Sequence, residues 1–201
     1  MAVLSRRVAR EPGRRANREA IIAATLELLG EGAPFAEISI EQIVRRAGLS
    51  RPTFYSYFRD KRELILELGS RLQDDVGVAS EPWLARGEGE IRATLEAVLD
   101  AFRRHRSTLA ALVEAATYDA EVNAFWHAFH ERFLTAAAAR IQAAEPKLAP
   151  ARAHARAFAL VWMTERTFSE HLGGADVDAD ALLEELTAFW QLDAPRGGVS
   201  G

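Results

Sequence analysis

Between its prolines this chain repeats apolar residues at every third or fourth position, the period that gathers them on one face of an α-helix. Alternation of period two, which a half-buried strand needs, is scarce. Pro12, Pro34, Pro82, Pro146, Pro150 and Pro195 stand at segment edges, and Pro52 falls in a first helical turn, where its missing N–H costs nothing. Thirty-eight alanines add helix propensity. The expected fold class is all-α, with about nine helices.

The first helix is expected near residues 16–31, with Ile21, Ile22, Thr25, Leu28 and Leu29 on one face. The second, near 40–47, opens with Ser39 and Gln42 in a capping-box pattern. Gly48 then supplies a left-handed turn. The third, near 51–57, is capped by Ser50, and the fourth, near 61–78, by Asp60 with Glu63. Two helices follow around Ile91–Phe102 and Leu109–Val113, then three near 119–144, 150–172 and 178–192. The expected organisation is a basic flexible arm (1–15), a helix-turn-helix three-helix domain (16–62), and a helical bundle for ligand binding and dimerisation (63–193). The helix near 61–78 connects the two domains, Trp83–Glu90 is the loosest connection, and a flexible tail follows (194–201).

Composition narrows the chemistry. There is no cysteine, which excludes disulfides, thiol nucleophiles and cysteine-held zinc, and fits a reducing, cytoplasmic setting. No apolar run approaches the roughly 18 residues of a membrane span, and the arginine-bearing start has no apolar core of a secretory signal, so no membrane partner is expected. The net charge of −4 conceals an asymmetry: residues 1–62 carry +5 and residues 63–201 carry −9. A basic head on an acidic body can be steered to phosphates while the whole is not.

That head holds two short helices joined at Ala47–Ser50, the helix-turn-helix arrangement. Leu49 pins the corner, and Phe54 and Phe58, four apart, supply a buried face. The run FYSYF could be a plain aromatic core stripe, but only two of its rings can face inward at once. Arg51, Thr53, Tyr55, Ser56 and Tyr57 are then left outside, able to bond base edges and phosphates. Lys61 and the free N–H groups of the fourth helix can meet a phosphate too. With the caps Ser39 and Ser50 and the first-turn Pro52, these residues form the candidate DNA surface, and duplex DNA is the expected partner.

The segment GLSRPTFYSYFRDKREL, led by ISIEQI and IVRRAG, resembles the DNA-binding domain of TetR-type transcriptional regulators over roughly residues 16–68. FWHAFHERF (125–133), WMTERTF (162–168) and Trp190 are similar to the branch of the mycobacterial ethionamide-resistance repressor. The resemblance implies that Thr53, Tyr55, Ser56, Tyr57 and Lys61 touch DNA, with Arg51 where a base-reading side chain often projects. It implies an aromatic-lined tunnel holding a hydrophobic effector, with Trp126, Phe133, Thr164 and Trp190 on its wall. Val98 stands there in place of an expected aromatic, and Val161 and Thr164 in place of expected amides. Phe102, Phe129, Trp162 and Phe168 point toward the same interior, and Thr164 is its candidate polar anchor. A homodimer is expected through the last two helices, where Phe158, Leu183, Leu186 and Trp190 offer more apolar surface than one subunit can bury.

The resulting reading is a ligand-responsive dimeric repressor on a palindromic operator, with no catalytic residue, cofactor or metal. A second reading is a helical enzyme or metal protein using His127, His130 and Glu131 on one helix. A third is an architectural DNA-binding protein with no ligand. Glu165 and Arg166 are expected to pair inside an apolar helix, and Arg103, Arg104, His105 and Arg106 to complement a helix C-terminus.

Overall fold

The computed structural model describes residues 2–191, with side chains from residue 13 onward; the tail expected at 194–201 lies outside the described residues. Among the described residues there are nine helices and no strand. They are α1 (Ala2–Gly30), α2 (Ile40–Arg46), α3 (Arg51–Tyr55), α4 (Lys61–Arg86), α5 (Ile91–Arg104), α6 (Arg106–Ala115), α7 (Ala120–Ala144), α8 (Pro150–Gly173) and α9 (Ala179–Trp190). None is long and apolar enough to cross a membrane.

Two helices exceed their sequence reading. The backbone of α1 is helical from Ala2, where a flexible arm was expected, because alanine, leucine and arginine favour helix over that stretch. Helix α4 continues through Pro82 to Arg86. The missing proline N–H removes a partner only from the carbonyl of Val78, and that residue is 73% exposed, so water can replace the bond. The extension brings Trp83, which is buried, into the helix.

The chain divides into two compact units, one of residues 1–71 with 107–125, the other of residues 72–106 with 126–201. The first unit is built on Ile21, Ile22, Ile43, Phe54, Phe58, Leu64 and Ile65, all within 2% of complete burial. Residues 107–125 join it through polar locks that sequence distance hides. The Glu114 carboxylate accepts from the backbone N–H of Phe35 (2.8 Å) and of Ala36 (2.9 Å). Arg62 donates to Asp119 at 2.6 Å and to Glu121 at 2.9 Å. Gly69 admits the Phe125 ring so closely that a Cβ there would lie 2.7 Å from it.

The second unit is a bundle in which α5 packs on α8 and α9. Its interior includes Leu95, Leu99, Phe102, Ala157, Phe168, Leu183 and Leu186. Asp75 accepts from His105 at 3.0 Å and lies 3.5 Å from Arg104, so both side chains are held by a carboxylate at the end of α5.

Candidate nucleic-acid interface and internal cavity

The helix-turn-helix is set by local chemistry. Ser39 caps α2 in a complete capping box: the Gln42 N–H donates to Ser39 Oγ (3.2 Å) and the Ser39 N–H to Gln42 Oε1 (2.7 Å). Gly48 takes φ +67°, and the Leu49 N–H returns to the Val44 carbonyl at 2.8 Å, closing the corner. Ser50 then caps α3, accepting from the Thr53 N–H at 3.3 Å with its hydroxyl 2.8 Å from Thr53 Oγ1. Ser39 and Ser50 thus act on their own helices first.

Phe54 and Phe58 are buried with ring centroids 5.7 Å apart. Opposite them, Arg51, Pro52, Tyr55 and Ser56 are exposed, while Thr53 and Tyr57 are half-buried. The helix ends at Tyr55, and Ser56 and Tyr57 fall in the turn after it. Arg51 donates to Glu41 at 3.0 Å and lies over the Tyr55 ring, 5.8 Å from its centroid. The surface therefore carries one guanidinium stacked on one phenol, held in place by an exposed carboxylate. Arg45, exposed in the last turn of α2, has no carboxylate partner among the described residues, and the sequence reading passed over it.

Lys61, expected as a phosphate contact, is engaged within its own chain. Its ammonium donates to the carbonyls of Phe35 (2.9 Å), Ala36 (3.1 Å) and Ile38 (2.5 Å) and sits 4.9 Å from the Phe35 ring centroid. An ammonium has three donors, and all three are used. Burial pushes Lys61 below its ordinary value, and the Glu114 charge opposes that shift. The side chain buckles the turn that leads into α2.

The second unit holds a half-open apolar cavity of about 80 Å³. Seven of the expected residues line it: Val98, Phe102, Phe129, Phe133, Val161, Thr164 and Trp190. Three do not. Trp126 stacks on Phe129 at 5.2 Å behind the wall. Phe168 is wholly buried, edge-on to Phe102. Trp162 lies flat against the far side of the His130 ring, 3.9 Å away. The missed lining comes chiefly from the C-terminal part of α4, which supplies Val76, Ser80, Trp83 and Leu84. Ile91, Thr94 and Leu95 of α5 complete that side. Thr164 is not a free anchor: its hydroxyl donates to Leu160 O and accepts from Trp190 Nε1, both at 2.8 Å.

His130 and Glu165 also line the cavity, so the sequence pairings given to them change. Glu165 faces His130, with Nε2 and Oε2 3.7 Å apart, and accepts from Ser169 Oγ at 2.6 Å. Arg166 turns outward to Glu170. His127 and Glu131 are exposed, whereas His130 is 2% exposed. No group of three metal-binding side chains occurs among the described residues, and these three are not gathered into one. Leu183, Leu186 and Trp190, expected at a subunit interface, are instead buried inside their own chain, because their shared face meets α5 and α8. The outward aromatics of α8 and α9 are Phe158 (53% exposed) and Phe189 (54%).

Residues 21–68 match the family described as bacterial regulatory proteins, tetR family. Residues 91–193 match the C-terminal domain of transcriptional regulator EthR. The chain is 34% identical over 197 residues to the HTH-type transcriptional regulator EthR of Mycobacterium tuberculosis (strain H37Rv), covering 92% of this chain and 89% of that protein. The protein of the same name from Mycolicibacterium smegmatis is 35% identical over 196 residues, with 92% and 88% covered. Among solved structures, a transcriptional regulator from Aquifex aeolicus VF5 superposes with a TM-score of 0.67 at 20% identity, covering 86% of this chain and 96% of that one. A TetR-like regulator from Rhodococcus sp. RHA1 gives 0.63 at 22% identity, with 88% and 92% covered. These two speak for the fold.

Proposed function

The chain belongs to the TetR family of DNA-binding transcriptional regulators, with an EthR-type C-terminal domain, and we propose that it is a dimeric repressor released from its operator by a hydrophobic small molecule. Family membership sets aside the enzyme reading built on His127, His130 and Glu131. The observation that carries the finer reading is the apolar cavity in the second unit. An architectural protein would have no reason to leave that space unfilled, since a void of this size forfeits packing.

One recognition helix of five residues offers too few base contacts for a usable operator, so two must be held about one helical turn of DNA apart, roughly 34–36 Å. The outward Phe158 and Phe189 support a two-fold contact through α8 and α9, and such a dimer calls for an inverted-repeat operator. Release requires only that the ligand prefer the non-binding arrangement; a tenfold loss of affinity corresponds to about 1.4 kcal/mol of preference.

The test is selection of a duplex from a random pool, followed by release with hydrophobic compounds that raise the melting temperature. Val98→Trp should fill the cavity, abolish the response to those compounds, and leave the DNA-contact residues intact. An operator without inverted symmetry, or a release unchanged by Val98→Trp, would overturn this reading.

A further inference from the structure

The side-chain donors of the cavity wall are engaged within their own unit, with one exception. The hydroxyls of Ser80, Thr94 and Thr164 donate to carbonyls of their own helices, and Trp190 Nε1 donates to Thr164. His130 Nδ1 bonds the Trp126 carbonyl at 2.8 Å. On its other side His130 faces Glu165, and one proton between the two serves both, so the pair calls for no ligand group. The exception is Trp83. It lines the cavity and is only 6% exposed, yet its indole N–H has no hydrogen-bond acceptor among the described residues. Trp190 meets its ring at right angles, with centroids 5.6 Å apart, and the Arg140 guanidinium lies 5.3 Å from its centroid. A guanidinium only donates, and an aromatic face is a weak acceptor. A buried indole N–H ordinarily finds a better partner.

We propose that the effector is an apolar molecule with one neutral hydrogen-bond acceptor, a carbonyl or ether oxygen, and that Trp83 Nε1 donates to it. The proposal rests on the reading of the cavity as the effector site, and names the polar group of its occupant and the residue that meets it. A buried N–H without an acceptor costs stability, and a ligand oxygen placed on it removes that cost. The cation over the ring polarises the N–H and strengthens the bond. A second acceptor on the ligand would meet side-chain donors that are already engaged, and would be desolvated without return. An anionic acceptor would lose its hydration against a wall of mostly apolar side chains.

The cavity is small, which favours compact probes. Cyclopentanone and methylenecyclopentane share one shape, and differ only in whether an oxygen or a CH₂ group is doubly bonded to the ring. In NMR titrations of the full chain, Trp83→Phe should weaken cyclopentanone about tenfold more than it weakens methylenecyclopentane, since it keeps an aromatic ring and removes the N–H. In the unsubstituted protein one indole N–H resonance should move downfield with the ketone and not with the alkene. Equal weakening of both probes by Trp83→Phe would make Trp83 a packing residue, and overturn the proposal while leaving the effector cavity standing. Indole resonances that respond alike to both probes would overturn it too, even if the variant does not fold. Tighter binding by pentanoate than by cyclopentanone would replace the neutral acceptor with an anion. Failure of all three probes to bind the unsubstituted protein up to their solubility limits would remove the cavity reading along with the proposal.

Discussion

The two units treat charge in opposite ways. In the first, charged side chains close gaps in the backbone: Lys61 on three carbonyls, Glu114 on two amides, Asp119 on the first turn of α7. In the second, aromatic and aliphatic packing does the holding, a void is left, and a carboxylate and an imidazole line it without meeting. Charge-assisted bonds fix geometry because they are directional, which suits a surface that must match a DNA groove. Apolar contacts tolerate rearrangement among similar packings, which suits a unit that must admit a ligand.

The sharpest contrast should come from truncating one ring in each unit. Phe54 is completely buried and packed on Phe58, so Phe54→Ala should cost roughly 3–5 kcal/mol, much of it from the cavity created. Phe133 already faces empty space, so Phe133→Ala forfeits fewer contacts and should cost nearer 2 kcal/mol. Urea unfolding followed by circular dichroism would measure both. Equal costs would mean that the second unit is as tightly packed as the first.

Lys61→Met sharpens the comparison next. Removing the ammonium leaves three carbonyls to solvent that reaches only some of them, and should cost about 2 kcal/mol. Its effect on DNA distinguishes a buckle from a phosphate contact. A buckle lowers affinity through the turn into α2 and leaves the salt dependence unaltered, whereas a lost phosphate contact would flatten the slope by about one unit.

How far the sequence could be read follows the same division. The α2 capping box, the Ser50 cap and the inward pair Phe54 and Phe58 were legible because each depends on residues at most four apart. The backbone bonds of Lys61 went unread because its acceptors lie 23 to 26 residues earlier, and Glu114 was passed over because its amides are 78 and 79 residues away. In the second unit the period of α9 was correct, but it does not say whether an apolar face meets its own chain or a partner. Leu183, Leu186 and Trp190 meet their own. The end of α4 was missed because Pro82 reads as a stop, although its cost falls on a carbonyl that water can reach.

Acid should expose the first unit before the second. The Arg62 guanidinium holds the Asp119 carboxyl below its ordinary value, against desolvation, with the N–H groups of Val122 and Glu121 adding to the effect. Arg71 does the same for Glu19, and Arg18 for Glu67. A carboxyl whose folded value is depressed contributes stability that is complete above its unfolded value, about 4. That contribution disappears as pH falls through the folded value. Asp119→Asn should therefore lower stability at neutral pH, by about 1 kcal/mol if the cap dominates, and make little difference at pH values well below about 4. Unfolding midpoints across that range would show a difference that does not close, if Asp119 acts by packing alone.

The smallest effect concerns two glutamates in different solvents. Glu165 lies buried in a pocket wall beside His130; Glu41 holds Arg51 on the open surface, where both side chains are more than half exposed. Water screens such a pair, so the Glu41–Arg51 contact adds little to stability. It does occupy the guanidinium that the recognition helix presents, and it places a negative charge beside the phosphates. Glu41→Gln should leave the unfolding midpoint unchanged and tighten DNA binding by roughly two- to fivefold at low salt. The gain should fade as salt rises, since screening removes repulsion and competition together. A loss of affinity instead, with weaker discrimination among duplexes, would show that Glu41 aims Arg51 at its base. The exposed carboxylate would then be part of the reading surface, positioned there as deliberately as the locks beneath it.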